Sequence, residues 1–192
     1  MKKIVIIGAG ISGLLIANLL RQDSNYEVAL YEKNNSINLE KGYGVQLSVN
    51  SIKLLNKINF QTINSQNKFN PNKVDFYSLK NKNKICDLDI SVFNTYEAKY
   101  TTLQRSTLIE FLKDDIYTQH IRFGKRIKEV SELKGKILIK FDDNTNDLVD
   151  YVIGADGIFS NTRTFFEKKK KKSVFKNAIA IRAIIKSTTG LN

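Results

Sequence analysis

The chain has 192 residues, 42% of them hydrophobic, which suffices for one core and part of a second domain. Cys86 is the only cysteine and His120 the only histidine, which excludes an internal disulfide and a zinc-type ligand cluster. The net charge of +12 invites a nucleic-acid reading, but the lysines are spread among asparagine and isoleucine, and only Lys168 to Lys172 forms a true run. That run reads first as a solvated segment and only second as an anionic-surface contact, so no nucleic-acid partner is expected.

The chain opens with Ile4-Val5-Ile6-Ile7, an apolar run too short to span a membrane and suited to a buried parallel strand. Lys2 and Lys3 before it resemble the start of a signal peptide, but Arg21-Gln22-Asp23 stands where a small-residue cleavage site would be. No apolar run reaches transmembrane length, and a cytoplasmic location is the default.

Gly8-Ala9-Gly10-Ile11-Ser12-Gly13 follows, a GxGxxG whose last glycine opens an apolar helix from Leu14 to Leu20. A second strand, Glu27 to Tyr31, ends in Glu32. Strand, glycine turn, helix, strand and acid, in that order, predict a dinucleotide-binding βαβ unit. Gly8 permits the tight turn, Gly10 lets a pyrophosphate approach the backbone, and Gly13 lets helix and strand pack closely. The N–H groups of Gly10, Ile11 and Ser12 lie at a positive helix end, and Glu32 is placed to accept from ribose hydroxyls.

Lys33 to Lys41 reads as a loop. Gly42-Tyr43-Gly44-Val45-Gln46-Leu47-Ser48 pairs two glycines with a short extended stretch, which suggests backbone passing a flat or bulky group. Ile52, Leu55 and Ile58 fall at helical spacing, with Asn50 or Ser51 as the cap. Asn59 to Asn72 is loop-like. Val74 to Leu79 and Ile85 to Ile90 read as an antiparallel hairpin turning at Lys80 to Lys84. Thr101 to Arg105 leads into a helix with the apolar face Leu108, Ile109, Leu112 and Ile116. Read alone, Arg105 at its start is a surface arginine.

Short strands follow at Ile121 to Phe123, Ile127 to Val130 and Lys136 to Phe141. After the turn Asp142-Asp143-Asn144, one strand from Leu148 to Ile153 runs into Gly154-Ala155-Asp156-Gly157. A carboxylate and flexible backbone at the carboxyl edge of a parallel sheet suit a ligand site. Ala178 to Ile185, with Arg182, reads as a last strand. A Cys86–His120 dyad lacks any motif, and no catalytic residue or metal site is assigned.

Together these segments resemble the FAD-dependent aromatic hydroxylases (single-component flavoprotein monooxygenases), nearest to the salicylate-hydroxylase-like and ubiquinone-biosynthesis-hydroxylase-like branches. The likeness rests on Ile6 to Gly13 with Tyr31-Glu32-Lys33, on Leu103-Gln104-Arg105-Ser106-Thr107-Leu108, and on Gly154-Ala155-Asp156-Gly157 with Ser160 and Arg163. The resemblance implies FAD as cofactor and NAD(P)H as co-substrate, with a flavin hydroperoxide hydroxylating a small phenolic ring. It also implies FAD contacts for Gly8, Gly10, Ile11, Ser12, Gly13, Glu32, Lys33, Gly44, Val45, Arg105, Asp156 and Gly157. Arg105 would then oppose the pyrophosphate, reversing its reading as a surface arginine. Gly44-Val45-Gln46 would pass the isoalloxazine, where some relatives carry histidine; glutamine can donate and accept hydrogen bonds but is no base.

The expected fold is an α/β, Rossmann-like FAD-binding domain with part of an inserted antiparallel β substrate region. Residues 1–72 form the βαβ unit and its following helix, 73–102 the inserted hairpin, 103–175 the continued FAD domain, and 176–192 the start of a substrate domain. The family's later Gly-Asp segment has no counterpart after Ile185, so the resemblance implies an N-terminal half: a fragment, a truncated gene or one part of a split protein, with a C-terminal half or an oligomeric partner as its expected companion. Two other classes stay open: an FAD- or NAD-linked reductase or dehydrogenase, and a non-enzymatic anion-binding module.

Overall fold

A computed structural model describes residues 1–37, 39, 43–114, 116, 120–167 and 174–181. Gly42, the lysine run 168–172 and Arg182 lie outside the described residues.

The chain begins as its pattern dictates. Strand β1 (Lys2–Ile7), helix α1 (Ile11–Leu20) and strand β2 (Tyr26–Tyr31) form a βαβ unit, with β1 and β2 parallel and in register from Lys2 opposite Tyr26 to Ile7 opposite Tyr31. The helix starts earlier than Leu14: Gly10 is its N-cap and Gly13 sits in its first turn. After β3 (Gly44–Leu47), helix α2 (Val49–Asn56) is capped at Ser48, not at Asn50 or Ser51. The Ser48 hydroxyl lies 3.3 Å from that of Ser51 and makes no hydrogen bond to the helix backbone.

The stretch read as loop, Asn59 to Asn72, contains β4 (Lys68–Phe69). Strands β5 (Lys73–Tyr77) and β6 (Lys84–Asp89) form the expected antiparallel hairpin. Strand β7 (Thr101–Gln104) then pairs antiparallel with both β3 and β4 and runs into α3 (Arg105–Asp114). Next come β8 (Ile121–Arg122), β9 (Ile127–Leu133), β10 (Lys136–Phe141), β11 (Asn146–Val149), β12 (Tyr151–Gly154) and α4 (Asn161–Glu167). The described part of the expected last strand, 178–181, is not in strand conformation.

The central sheet is four-stranded, in the order β12-β1-β2-β8, and all its pairs are parallel. Because it is covered on both sides, its strands are apolar on both faces rather than alternating with polar residues. Ile6, Val28 and Leu30 pack with Leu14, Leu108, Ile109 and Leu112 on the helical side. Val5, Ile7, Ala29 and Tyr31 pack with Ile139, Phe141 and Val149 of the antiparallel meander β11-β10-β9. Each fully buried leucine among these stabilises the fold by about 1.5–3 kcal/mol. Helix α1 is tied to α3 by buried Asn18, whose Nδ2 donates to the Leu112 carbonyl at 2.8 Å.

The strand expected from Leu148 to Ile153 is two strands in two sheets. β11 pairs antiparallel with β10, and β12 pairs parallel with β1. The break falls at Asp150, whose carboxylate accepts the Lys3 N–H at 2.8 Å while its own N–H donates to the Lys3 carbonyl at 2.9 Å. One residue therefore passes the chain from the meander to the parallel sheet.

A polar network staples the same two layers. The buried Tyr31 hydroxyl donates to Asp147 of β11 and accepts from Arg122 Nη1 of β8 at 2.9 Å. Lys3 Nζ reaches the other Asp147 oxygen at 2.5 Å. The Tyr31 ring meets Phe141 edge-on, with centroids 4.8 Å apart. Burial, then the Asp147 carboxylate, push the Tyr31 hydroxyl above its ordinary pKa. For Asp147 burial works upward, but hydrogen bonds from Lys3 and Tyr31 outweigh it and hold the carboxyl below its ordinary value.

A depressed carboxyl pKa contributes stability that is fully present above the ordinary value near 3.8 and is lost as pH falls below it. Asp147→Asn should therefore cost about 1–3 kcal/mol at pH 7, and the gap to wild type should shrink in acid. Urea melts at pH 7 and pH 3.5 check this, and an equal gap at both would refute it.

Candidate functional site

The two glycine motifs meet at the carboxyl ends of β1 and β12. The Ala155 N–H donates to the Ile7 carbonyl at 2.8 Å, extending the β1–β12 ladder by one step. Gly8 has φ of +104°, and a Cβ there would lie 2.6 Å from the Ala155 carbonyl oxygen. At Gly13 a Cβ would lie 1.9 Å from the Gly8 carbonyl oxygen. These glycines are required by contacts within the chain. Gly10 is different: it lines the cleft, and a Cβ there would meet nothing within 4 Å.

The cleft so formed has a volume of about 250 Å³ and is lined by Gly8, Gly10, Glu32, Lys33, Asp156 and Gly157 among others. It thus collects half of the residues picked out from the sequence. Ile11 and Ser12 open α1 beside it, and their N–H groups belong to the turn that has no intrahelical acceptor. Gly13 is buried behind them. The remaining three form a second group. Gly44 and Val45 lie on β3, opposite Gln104 and Leu103 of β7, and the Arg105 N–H donates to the Tyr43 carbonyl at 3.2 Å. Gly44 lines a separate cleft of about 500 Å³ with Thr102, Leu103, Gln104 and Thr107.

Glu32 does more than its place at a strand end implied. It is buried, and its Oε2 accepts the Ala9 N–H while Oε1 accepts the Asn34 N–H, each at 2.9 Å. The carboxylate therefore pins the glycine turn to the loop after β2. Two carboxylate oxygens offer about four acceptor positions, so capacity for a ligand hydroxyl remains.

Asp156 likewise organises its own loop. Oδ1 accepts from the Ser160 hydroxyl at 2.5 Å, and Oδ2 accepts from the Thr162 N–H and hydroxyl, both at 3.0 Å. Burial works to raise its pKa, but these bonds prevail and hold it below the ordinary value. Buried Thr162 in turn packs on Gly154, where a Cβ would come within 2.9 Å of Thr162 Cγ2. Gly157, at φ +81°, turns the chain along the cleft.

Sequence reasoning missed Asn34, Lys125, Arg126 and Asn161, which also line the cleft. The Lys125 N–H donates to the Glu32 carbonyl at 2.9 Å, so this segment is brought in by a pairing across some ninety residues that no local motif signals.

A family model described as an NAD(P)-binding Rossmann-like domain matches residues 6–39. The chain is 26% identical over 167 residues to 6-hydroxynicotinate 3-monooxygenase of Pseudomonas fluorescens, covering 84% of this chain and 42% of that protein. It is 31% identical over 173 residues to 6-methylsalicylate 1-monooxygenase atA of Aspergillus terreus, covering 83% and 38%. Among solved structures, 2,6-dihydroxypyridine-3-hydroxylase from Arthrobacter nicotinovorans superposes with a TM-score of 0.71 at 18% identity, covering 88% of this chain and 40% of that one. Klebsiella pneumoniae R204Q HpxO complexed with FAD gives 0.71 at 22%, covering 85% and 42%. Both show the fold.

Replacing Gly13 with alanine should destabilise the chain by about 3 kcal/mol or more, because backbone cannot yield to a Cβ at that distance. Gly10→Ala should leave the melting temperature within about 1 °C, since its backbone is extended and its surroundings open. Thermal melts of both variants test the contrast, which fails if the two lose stability equally.

The chain spans about two-fifths of the length of the curated relatives it matches. In sequence the chain is similar to monooxygenases of aromatic compounds, two of the relatives being named as FAD-dependent monooxygenases.

Proposed function

We propose that the chain is the FAD-binding portion of an FAD- and NAD(P)H-dependent monooxygenase that hydroxylates a small aromatic substrate. The observation that carries this is the convergence of the GxGxxG turn and the Asp-Gly loop on one cleft at the carboxyl edge of a parallel sheet. The relatives, named as monooxygenases of hydroxynicotinate, aminohydroxybenzoate and methylsalicylate, supply the reaction class.

The residues present fit the cofactor. Gly10 offers bare backbone to the cleft, and the N–H groups of Gly10, Ile11 and Ser12 at the positive end of α1 suit its diphosphate. Glu32 accepts from the ribose with the lone pairs its loop contacts leave over, and Lys33 stands at the rim. Asp156 and Gly157 shape the opposite wall. Gly44 and Val45 pass the flavin ring, and the Arg105 guanidinium opposes the diphosphate. The chemistry FAD supplies when bound is electron uptake from NAD(P)H and activation of oxygen.

The domain division follows from this reading: residues 1–72 and 103–175 build the cofactor domain, 73–102 belong to the substrate region, and 176–192 begin the substrate domain. The β5–β6 hairpin supports it, because Leu79 is 99% and Ile85 68% exposed. A C-terminal half or an oligomeric partner covers that surface. Among the described residues no helix is long and apolar enough to cross a membrane, and the reading places the protein in the cytoplasm.

A thiol-based reductase would require a redox cysteine pair, and Cys86 stands alone and exposed on β6. An anion-binding module would need basic residues gathered on one face, which a surface-potential map would reveal; Lys3, Lys84, Lys125 and Lys140 instead each stand beside a carboxylate.

Titration of the purified chain with FAD should quench or shift flavin fluorescence, and Glu32→Gln should weaken binding by roughly tenfold. Tight NAD binding with no response to FAD would overturn the proposal.

A further inference from the structure

Near Glu32 the cleft is bordered by two cations that come from a different layer of the fold. Residues 122–125 run beside residues 32–34: the Glu32 N–H donates to the Arg122 carbonyl at 2.9 Å, the Gly124 N–H to the Asn34 carbonyl at 3.1 Å, and the Lys125 N–H to the Glu32 carbonyl at 2.9 Å. This sets Lys125 and Arg126 against the cleft wall just before β9 begins.

The side chains are held from the other side by the turn between β10 and β11. Lys125 Nζ lies 2.5 Å from Asp143 Oδ2, 2.8 Å from Thr145 Oγ1 and 5.4 Å from the centroid of the Phe141 ring. Arg126 Nε lies 3.7 Å from Asp142 Oδ2, and the Asp142 N–H donates to the Arg126 carbonyl at 3.0 Å. The hydrogen bond from Lys125, foremost, draws the Asp143 carboxyl down to about 2, so it is ionised throughout the neutral range. Each cation therefore faces an aspartate of the turn while lining the cleft.

A volume of about 250 Å³ falls below the roughly 300–1,000 Å³ that encloses a whole ligand of moderate size. The cleft is the size of one half of a dinucleotide. On the FAD reading Glu32 takes the ribose and Gly10 the diphosphate, which leaves the space beside Lys125 and Arg126, next to Glu32, for the adenine. Arg126, paired at Nε with Asp142, lines the cleft with a planar guanidinium, a group that stacks on an aromatic base.

Resting on the FAD reading above, we infer that Arg126 is a positioning residue for the adenine end of the cofactor, and that the Asp142–Asp143 turn holds Arg126 and Lys125 in place. The site so described recognises an adenosine diphosphate group irrespective of what its far phosphate carries. The meander is then part of the cofactor site as well as a cover for the sheet.

The test is calorimetric titration of the full chain with FAD, ADP and FMN, for wild type, Arg126→Ala and Asp142→Asn, with thermal melts alongside. Arg126→Ala should weaken FAD and ADP alike by roughly three- to tenfold, the range of a cation–π contact at a partly exposed site, and leave FMN unchanged. Asp142→Asn should weaken the same two ligands by a smaller factor. Unchanged ADP affinity in Arg126→Ala, or equal loss for FMN, overturns the inference while wild-type FAD binding leaves the cofactor reading standing. If wild type binds neither FAD nor ADP, both fall. Arg126→Lys, which keeps the charge but not the plane, should restore only part of the loss; full restoration refutes stacking.

Discussion

The structure depends on a contact in which side chains are missing by necessity. Gly8 lies against the Ala155 backbone and Gly13 against the Gly8 carbonyl, at distances that leave neither glycine room for a Cβ. This fixes α1 against β1, and it fixes the end of β12 beside the glycine turn. The carboxyl edge of the sheet then has a defined shape, and the cleft follows from it. Glu32 and Asp156 complete the arrangement by turning their carboxylates on local N–H and hydroxyl donors, so both walls are tied by the chain's own hydrogen bonds. A ligand that meets a formed site loses less affinity to the ordering of loops.

What could be read from the sequence was what neighbours in sequence decide. The βαβ unit was legible because turn, helix and acid lie within thirty-odd residues, and α3 because Leu108, Ile109, Leu112 and Ile116 recur at helical spacing and are all buried. The hairpin β5–β6 was legible from two extended runs and a polar turn. The split of β11 from β12 was not, because Asp150 resembles any polar residue in a strand until Lys3, some 147 positions away, supplies both of its partners. The helix start at Ile11 was displaced for a similar reason: glycine is a poor helix former, and only packing against Gly8 explains Gly13 inside the first turn.

The site was legible in the same proportion. Glycines and acids carried by motifs were found, while Lys125 and Arg126 depended on a pairing between the β2 exit and the β9 entrance. Even for Glu32 the motif supplied the place and not the full role. Its hydrogen bonds to Ala9 and Asn34 make it a structural residue as well as a candidate ligand, and the two duties share one carboxylate. A small part of the chain's positive charge is likewise paired at the seam between the layers, since Lys3, Lys125 and Arg122 all face aspartates of the meander or its turns.

The β5–β6 hairpin stands apart from this tightly tied arrangement. Every residue of β6 is exposed, and among the described residues β5 pairs with β6 alone. A two-stranded sheet is marginal in water, so the amides of Lys84 to Asp89 should exchange through local opening more readily than those of the central sheet. The molecule thus carries two scales of stability in one chain. The cleft is built on the buried, doubly covered part, and the exposed strand that carries Ile85 and Leu88 on the part with the least cover.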